Sequence, residues 1–154
     1  MRQSNLERLE TLLAEHGRRR EDGSARPERR AEINPEFREA FSRAVRTHVL
    51  PVLEDTVSTL RPRVEKTSLF HQLGTAGLRV KLDPWDDYER VLVFFGDPRS
   101  GVVRITHEGV GFSLLARELA VEELDEATVQ AEVIRFMNRL LRSDRGETER
   151  RRAA

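Results

Sequence analysis

The spacing of apolar residues changes once along the chain, near residue 64, and this change constrains the fold more than any other feature. Before it, apolar side chains recur every three or four residues, as on one face of a helix. After it, apolar and polar side chains alternate, as at Leu78, Val80 and Leu82. Such alternation is typical of a strand with one buried face. Further strand patterns cover residues 90–95, 102–107 and 110–115, and a weaker pattern covers residues 64–72.

The segments between these strands are short and contain turn-forming residues. The stretch "GDPRSG" at residues 96–101 combines Gly, Asp and Pro, which favour tight turns. Successive strands joined by short turns pair with their neighbours in antiparallel fashion. The sequence therefore predicts an antiparallel meander of four strands, or of five if residues 64–72 take part.

One long helix is predicted before the strands and one after them. Asn34 is a favourable N-cap and Pro35 suits the first helical position, whereas Pro51 is expected to kink or split the helix. The second helix begins after Asp125, another suitable N-cap. With both helices on one face of the sheet, the predicted fold class is α+β. The apolar stripes consist of Phe37, Phe41, Val45, His48, Val49, Val52, Leu53, Val57 and Leu60 in the first helix, and of Val129, Val133, Phe136, Met137, Leu140 and Leu141 in the second.

A separate amphipathic helix is predicted over residues 1–17. Ser4 and Glu7 form a capping-box pattern, and Gly17 suits the helix end. A helix this short is marginally stable alone in water, so it needs a surface to lie against. Its apolar stripe consists of Leu6, Leu9, Leu12 and Leu13.

The rest of the chain divides by composition. Residues 18–32 carry six arginines, four acidic residues and almost nothing apolar, which is typical of a flexible linker. Residues 33–143 hold the strand and helix patterns and form the α+β domain. Residues 144–154 are expected to be a disordered charged tail.

Composition narrows the classes of function. The chain has no cysteine, which excludes disulfides and thiolate metal ligands. It shows no signal-peptide core and no run near the ~18 apolar residues of a membrane span, so we expect a soluble, cytoplasmic protein with no membrane partner. The 27 basic and 27 acidic residues balance, but residues 67–141 hold 12 acidic against 8 basic side chains. This acidic body disfavours a nucleic-acid surface there.

The strand over residues 90–95 is apolar at every position from Val91 onward, and it gives the first functional clue. If Val91, Val93 and Phe95 face the helices, Leu92 and Phe94 lie on the opposite, outer face. There they form an exposed apolar patch, of the kind that marks an interface. The same alignment places Leu78, Val80, Leu82, Val103, Ile105, Val110, Phe112 and Leu114 on the covered face, and it places Arg79, Lys81, Arg104, Thr106 and Ser113 on the outer face.

Three covers fit such a patch. They are the N-terminal helix of the same chain through Leu6, Leu9 and Leu13, a second copy of the protein, and a different protein. The alternative is that a central strand carries a few exposed apolar residues without any function, which is common.

Residues for catalysis or metal binding do not form a recognisable constellation. No two of His16, His48, His71 and His107 have metal-ligand spacing on one helix, and His48 falls on an apolar stripe, as a core histidine does. The acidic residues from Asp83 to Glu89 are typical of a hairpin loop. Clustered carboxylates can also hold a cation or perform acid–base chemistry. We predict no catalytic residue, no metal ligand and no cofactor.

The favoured hypothesis is a non-enzymatic protein–protein interaction module, with another protein or a second copy of itself as the partner. Its predicted contacts are the N-terminal helix and the sheet patch, together with Trp85 and Tyr88, whose loop would make a good recognition tip. A nucleic-acid-binding or regulatory protein is the first alternative, through the linker arginines and Arg38, Arg43 and Arg46 of the long helix. An enzyme with its site in the loop from Asp83 to Glu89 is the second.

Overall fold

The computed structural model of the protein describes residues 7–14, 34–86 and 88–153, and for residues 144–153 it describes the backbone alone. The chain divides into two units, Met1–Asn34 and Pro35–Ala154. In the first unit, residues 7–14 are helical, and the Thr11 hydroxyl donates to the Glu7 carbonyl at 2.9 Å. Leu9, Leu12 and Leu13 are exposed on this segment. The predicted cap at Ser4, the stripe residue Leu6, the helix end at Gly17 and the linker over residues 18–32 lie outside the described residues.

The second unit begins with a long helix that contains a wider turn at its centre. Helix α1 covers Pro35–Ala44, a π-helical turn covers Val45–Val49, and helix α2 covers Leu50–Leu60. The Leu50 N–H donates to the Val45 carbonyl, five residues earlier. Pro51 comes directly after this turn, has no N–H, and its ring would crowd the carbonyl four residues before it in a regular helix. The π turn accommodates Pro51, which confirms the predicted interruption.

The sheet has five strands, so the weaker pattern at residues 64–72 is a strand. The strands are β1 (Lys66–Gln72), β2 (Thr75–Lys81), β3 (Arg90–Asp97), β4 (Val102–Gly109) and β5 (Phe112–Leu119). Each pairs antiparallel with the next, in the order β1-β2-β3-β4-β5. The α+β fold with an antiparallel meander is therefore confirmed.

Helix α3 covers Glu126–Ala153 and follows a 3-10 turn at Val121–Glu123. The Asp125 carboxylate accepts a hydrogen bond from the Thr128 backbone N–H at 2.8 Å, and this bond lowers the pKa of Asp125. Asp125 is thus the predicted N-cap. The helix continues through residues 144–153, where the sequence predicted a disordered tail; Arg and Glu, which dominate that segment, are good helix formers.

The core lies between the sheet and one layer of helices. Helix α2 packs on β1 and β2, and α3 packs on β3, on α2 and on the π turn. A methyl group at Gly96 would lie 2.6 Å from the Phe41 ring, so the backbone of β3 provides the room for α1 to sit close. The buried residues include Phe37, Phe41, Val45, Val49, Val52, Leu53 and Val57 from the first helix, and Val129, Val133, Phe136 and Leu140 from α3. Of the predicted stripes, His48, Leu60 and Met137 are only half-buried and Leu141 is exposed.

The predicted orientation of β3 is wrong. Leu92 and Phe94 are both 0% exposed and belong to the core, because Leu92 pairs with Leu78 and Phe94 pairs with Ile105, which face the helices. The outer face instead receives Val91, Val93 and Phe95. Since β3 is apolar at both sets of positions, its alternation carries no information about which set is buried.

The predicted covered face is also wrong at the last strand. Val110, Phe112 and Leu114 are exposed rather than buried, whereas Leu78, Val80, Val103 and Ile105 lie in the core as predicted. The cause is position: the helices pack mainly on β1, β2 and β3, and β5 extends beyond them.

Within the described residues, no helix is both long enough and apolar enough to cross a lipid bilayer.

The outer face of the sheet carries a mixed surface. One row across it consists of Phe70, Gly77, Val93, Thr106 and Leu115. A methyl group at Gly77 would meet the Phe70 ring at 2.4 Å, so the ring occupies the space above the glycine, and the Arg79 guanidinium lies 4.7 Å from the ring centre. The outer face is therefore partly apolar, but through residues other than Leu92 and Phe94.

Candidate functional site

Strand β5 forms one edge of the sheet and presents apolar side chains to solvent. Among the described strands, β4 alone pairs with it. Phe112, Leu114 and Leu115 are 41%, 42% and 51% exposed. An edge strand offers a row of backbone N–H and C=O groups to any extended chain that can align with it. A long apolar edge is therefore a site for pairing with another polypeptide.

Strand β1 forms the opposite edge of the sheet, and its charged and polar side chains protect it from pairing with a foreign strand. The beginning of β5 lacks this protection. Strand β1 starts with Lys66 and ends with His71 and Gln72, and its apolar residues Leu69 and Phe70 are half-buried. Charged and polar side chains along an edge discourage pairing with a foreign strand. The stretch of β5 from Phe112 to Ala116 has no charged side chain. The two edges therefore differ in their capacity to accept a partner.

A bulge in β5 changes which side chains face the helices. Ile105 pairs with Arg117 and Thr106 pairs with Leu115, so Ala116 is the extra residue. Such a bulge reverses the alternation beyond it. As a result Arg117 points to the helix side and Glu118 to the outer side, where Glu118 accepts a hydrogen bond from Arg104 at 3.0 Å.

A cleft of about 650 Å³ lies between β5 and helix α3. The residues Leu114, Leu115 and Ala116 form its strand wall, and His107 and Glu132 lie at its base. The helix contributes Arg135, Asn138, Arg139, Arg142 and Ser143. The cleft thus runs beside the apolar edge and combines an apolar wall with a polar, arginine-rich wall.

The base of the cleft contains a buried ion-pair cluster. Glu132 is 0% exposed, and its Oε1 accepts hydrogen bonds from Arg117 at 3.5 Å and from Arg135 at 3.1 Å. Its Oε2 has no hydrogen-bond partner among the described residues. Arg117 reaches Glu132 because of the bulge at Ala116, so the bulge fixes the end of β5 to the helix.

His107 lies next to this cluster and is 3% exposed. Its ring packs edge-on against Phe136, with ring centres 5.4 Å apart, and within the described residues neither ring nitrogen has a hydrogen-bond partner. Burial lowers the pKa of His107, the positive charge of Arg139 lowers it further, and the charge of Glu132 opposes both. The imidazole at the base of the cleft is therefore held in its neutral form.

Arg139 and Arg142 form the unbalanced positive charge of the cleft. No carboxylate among the described side chains lies within ion-pair distance of either. The positions three and four residues before and after them on the helix carry no acidic residue, and those are the positions where a helix supplies a local partner. Among the described side chains that line the cleft, three are arginines and one, Glu132, is acidic, so this lining is basic within a body that is acidic overall.

The structure gives the predicted contact residues different degrees of exposure. Leu9 and Leu13 are exposed in the N-terminal unit, and Leu6 lies outside the described residues. Leu92 and Phe94 are in the core and cannot contact a partner. The sheet patch predicted at Leu92 and Phe94 is therefore absent from the outer face.

Trp85 and Tyr88 are both exposed in the loop between β2 and β3, as a recognition tip requires. The Asp86 backbone N–H donates to the Asp83 carbonyl at 3.1 Å, and the Asp86 carboxylate accepts from the Asp83 N–H at 3.2 Å. These bonds are those of a turn, which supports the hairpin-loop interpretation of the acidic residues; Asp87 lies outside the described residues. Over the described ranges, no group of three or more His, Asp or Glu side chains is placed to hold a metal ion.

The structure describes three of the arginines that the nucleic-acid alternative uses, and their surroundings differ. Arg38, Arg43 and Arg46 are exposed on the long helix. Arg43 forms an ion pair with Glu39 at 3.5 Å, and Arg38 lines an apolar groove. The linker arginines of that alternative lie outside the described residues.

That groove, of about 480 Å³, lies between α1 and the turn that joins β1 to β2. Phe37, Phe41 and Phe95 contribute to its lining, and Leu73 stands at its rim, 99% exposed. The groove has apolar walls and reaches the sheet edge only at His71 and Gln72, the polar end of β1, so it offers a partner a shorter and less apolar stretch of strand edge than β5 does.

The sequence contained signals for the cleft that the prediction did not use. Glu132 falls on the buried stripe of α3, three residues after Val129 and four before Phe136, and a charged residue on such a stripe requires a partner. His107 continues the buried alternation of Val103 and Ile105. In contrast, no sequence pattern reveals the bulge at Ala116.

Comparison with known proteins gave no significant match to a protein-family model, to a curated protein or to a solved structure.

Proposed function

We propose that the protein is a protein–protein interaction module that binds an extended segment of a partner protein along the free edge of β5. The observation that supports this most is the exposure of Phe112, Leu114 and Leu115 on an edge strand with one neighbour. Addition of a strand to a sheet edge combines backbone hydrogen bonds, which give affinity, with side-chain pockets, which give specificity.

The cleft supplies such a pocket. Alternate side chains of an added strand point to the same face of the sheet, so every second residue of the partner lies beside Leu114, on the side of α3. The other residues lie beside Leu115 on the outer face, at the end of the row that Thr106 and Val93 continue across the sheet. Both faces of the added strand would therefore contact apolar side chains of β5.

The N-terminal helix is a second predicted contact of the same module. Leu9, Leu12 and Leu13 are exposed on one short helical segment, and such a segment is stabilised by packing against an apolar surface. The exposed Trp85 and Tyr88 also stay as predicted contacts. Neither feature offers free strand hydrogen bonds, and for this reason the proposal centres on β5.

The proposal can be tested with a random twelve-residue peptide library displayed on phage and selected against the full-length protein. Peptides that bind the unmodified protein should lose binding to the double variant Leu114→Lys and Leu115→Lys, because lysines on an edge strand disfavour pairing. Both positions are solvent-exposed, so the substitutions should not unfold the domain. Leu73→Lys, at a fully exposed leucine outside β5, is the matched control and should retain binding.

Two results would count against strand addition at β5. One is a selection that enriches no peptide at all. The other is a set of peptides that bind the β5 double variant as tightly as the unmodified protein and lose binding to the Leu73→Lys control. The second result would place the interaction at the apolar groove beside α1.

A further inference from the structure

We propose that the partner segment is acidic at the positions that face α3, and that Arg139 and Arg142 bind its carboxylates. This inference rests on the proposed function, since it concerns the side chains of the strand added to β5. The occupant is therefore an extended protein segment in which acidic residues alternate with apolar ones.

The geometry of the cleft gives the position of these carboxylates. Leu114 faces the cleft, and a residue of the added strand directly opposite it points to the same face, about 5 Å further out. Helix α3 lies on that face, and its arginine-rich side turns toward β5. Long arginine side chains from the helix can therefore reach the side chains of an added strand.

The positive charges of the cleft favour an anionic side chain on the partner strand. Arg135 already donates to Glu132, whereas Arg139 and Arg142 have no acidic partner among the described side chains. Guanidinium groups form strong, directional hydrogen bonds with carboxylates. A partner strand with basic residues at these positions would meet the like charge of both arginines, and one with apolar residues would offer neither arginine a carboxylate.

The same charges disfavour a second copy of the protein as the occupant. If two β5 strands paired about a two-fold axis normal to the sheet, both α3 helices would lie on the same face. Their arginine-rich sides would then face each other across the junction. Juxtaposed like charges at an interface are costly, so a foreign acidic strand fits this edge better than the protein's own β5.

The test uses the same peptide library with a charge-reversed protein. Peptides selected by the unmodified protein, and dependent on Leu114 and Leu115, should be enriched in Asp and Glu at every second position. Selection against the double variant Arg139→Glu and Arg142→Glu should instead enrich Lys and Arg at those positions. Arg43→Glu with Arg46→Glu, on the exposed side of the long helix, is the matched control and should leave the acidic preference unchanged.

Affinity gives a second measure. A synthetic peptide with the selected acidic sequence should bind the Arg139→Glu and Arg142→Glu variant at least about tenfold more weakly than the unmodified protein. Its binding to the unmodified protein should also weaken with added salt, because the contacts are partly exposed. The same peptide with Gln in place of its acidic residues should show the weaker affinity with both proteins.

The outcomes separate the two proposals. If β5-dependent peptides show no acidic preference, or if the Gln peptide binds as well as the acidic one, the assignment of Arg139 and Arg142 is wrong while strand addition stands. If no β5-dependent peptide is found, both proposals fall. If light scattering shows a dimer that the Leu114→Lys and Leu115→Lys variant abolishes, the occupant is a second copy and the acidic segment is excluded.

Discussion

The orientation of β3 can be tested by a pair of neighbouring substitutions, Leu92→Ala and Val93→Ala. Leu92 is 0% exposed, and the change removes three buried carbon atoms, a transfer cost of about 2.4 kcal/mol. The cavity that remains raises the expected loss to about 3–5 kcal/mol. Val93 is half-buried on the outer face, so its truncation should cost about 1 kcal/mol or less.

The assay is urea unfolding followed by circular dichroism, with thermal unfolding as a check. At roughly 4 °C per kcal/mol for a domain of this size, Leu92→Ala should lower the Tm by roughly 12 °C or more, and Val93→Ala by a few degrees. If Val93→Ala is the more damaging substitution, the register of β2 against β3 is wrong. Leu92 and Phe94 would then be available to a partner after all.

Two further predictions concern the base of the cleft. The pKa of His107 is lowered in the fold from a usual value of about 6.5, so below that pH the unfolded chain binds more protons and stability falls as the pH drops from 7 toward 5. His107→Leu should reduce this acid sensitivity in urea unfolding at pH 7.5 and pH 5, and an unchanged pH dependence would contradict the assignment. Arg117→Met should cost about 2 kcal/mol, because it removes one of the two cations that bind the buried Glu132, and adding Glu132→Leu should recover part of that loss. A double variant less stable than Arg117→Met alone would show that the ion pair stabilises the fold more than apolar packing can.

The helices were predictable because each has one apolar face. The stripe from Phe37 to Val57 and the stripe from Val129 to Leu140 are almost entirely buried. A helix with polar residues on its remaining surface has only one orientation in which it can pack. Capping chemistry at Asp125 and the interruption at Pro51 depend on local residues, so they too could be read from the sequence.

The strands were predictable in number and pairing but not in burial. Strand β3 is apolar on both faces, and its orientation follows from pairing with β2, which depends on the intervening loop. Strand β5 resembles a core strand in sequence, since nothing in Phe112 or Leu114 indicates that the helices stop short of them. Edge position is a property of the assembled sheet and of the helix layer above it.

Predicting the cleft required both the residue pattern of the helix and the pairing of the assembled sheet. Its helix wall follows from the positions of Arg135, Arg139 and Arg142 on one side of α3, which the sequence contains. Its base requires the bulge at Ala116, which turns Arg117 toward Glu132. A bulge of one residue has no periodic signal, and for this reason the site could not be assembled from the sequence alone.

Amide hydrogen exchange of the full-length protein, with and without a selected peptide, shows whether a partner adds a strand to β5. We expect the largest gain in protection at residues 112–116, because the outward N–H groups of an edge strand acquire acceptors only when a strand pairs with them. Protection that is confined to the turn near Leu73, or to the outer side of β3 with no change in β5, would contradict the claim.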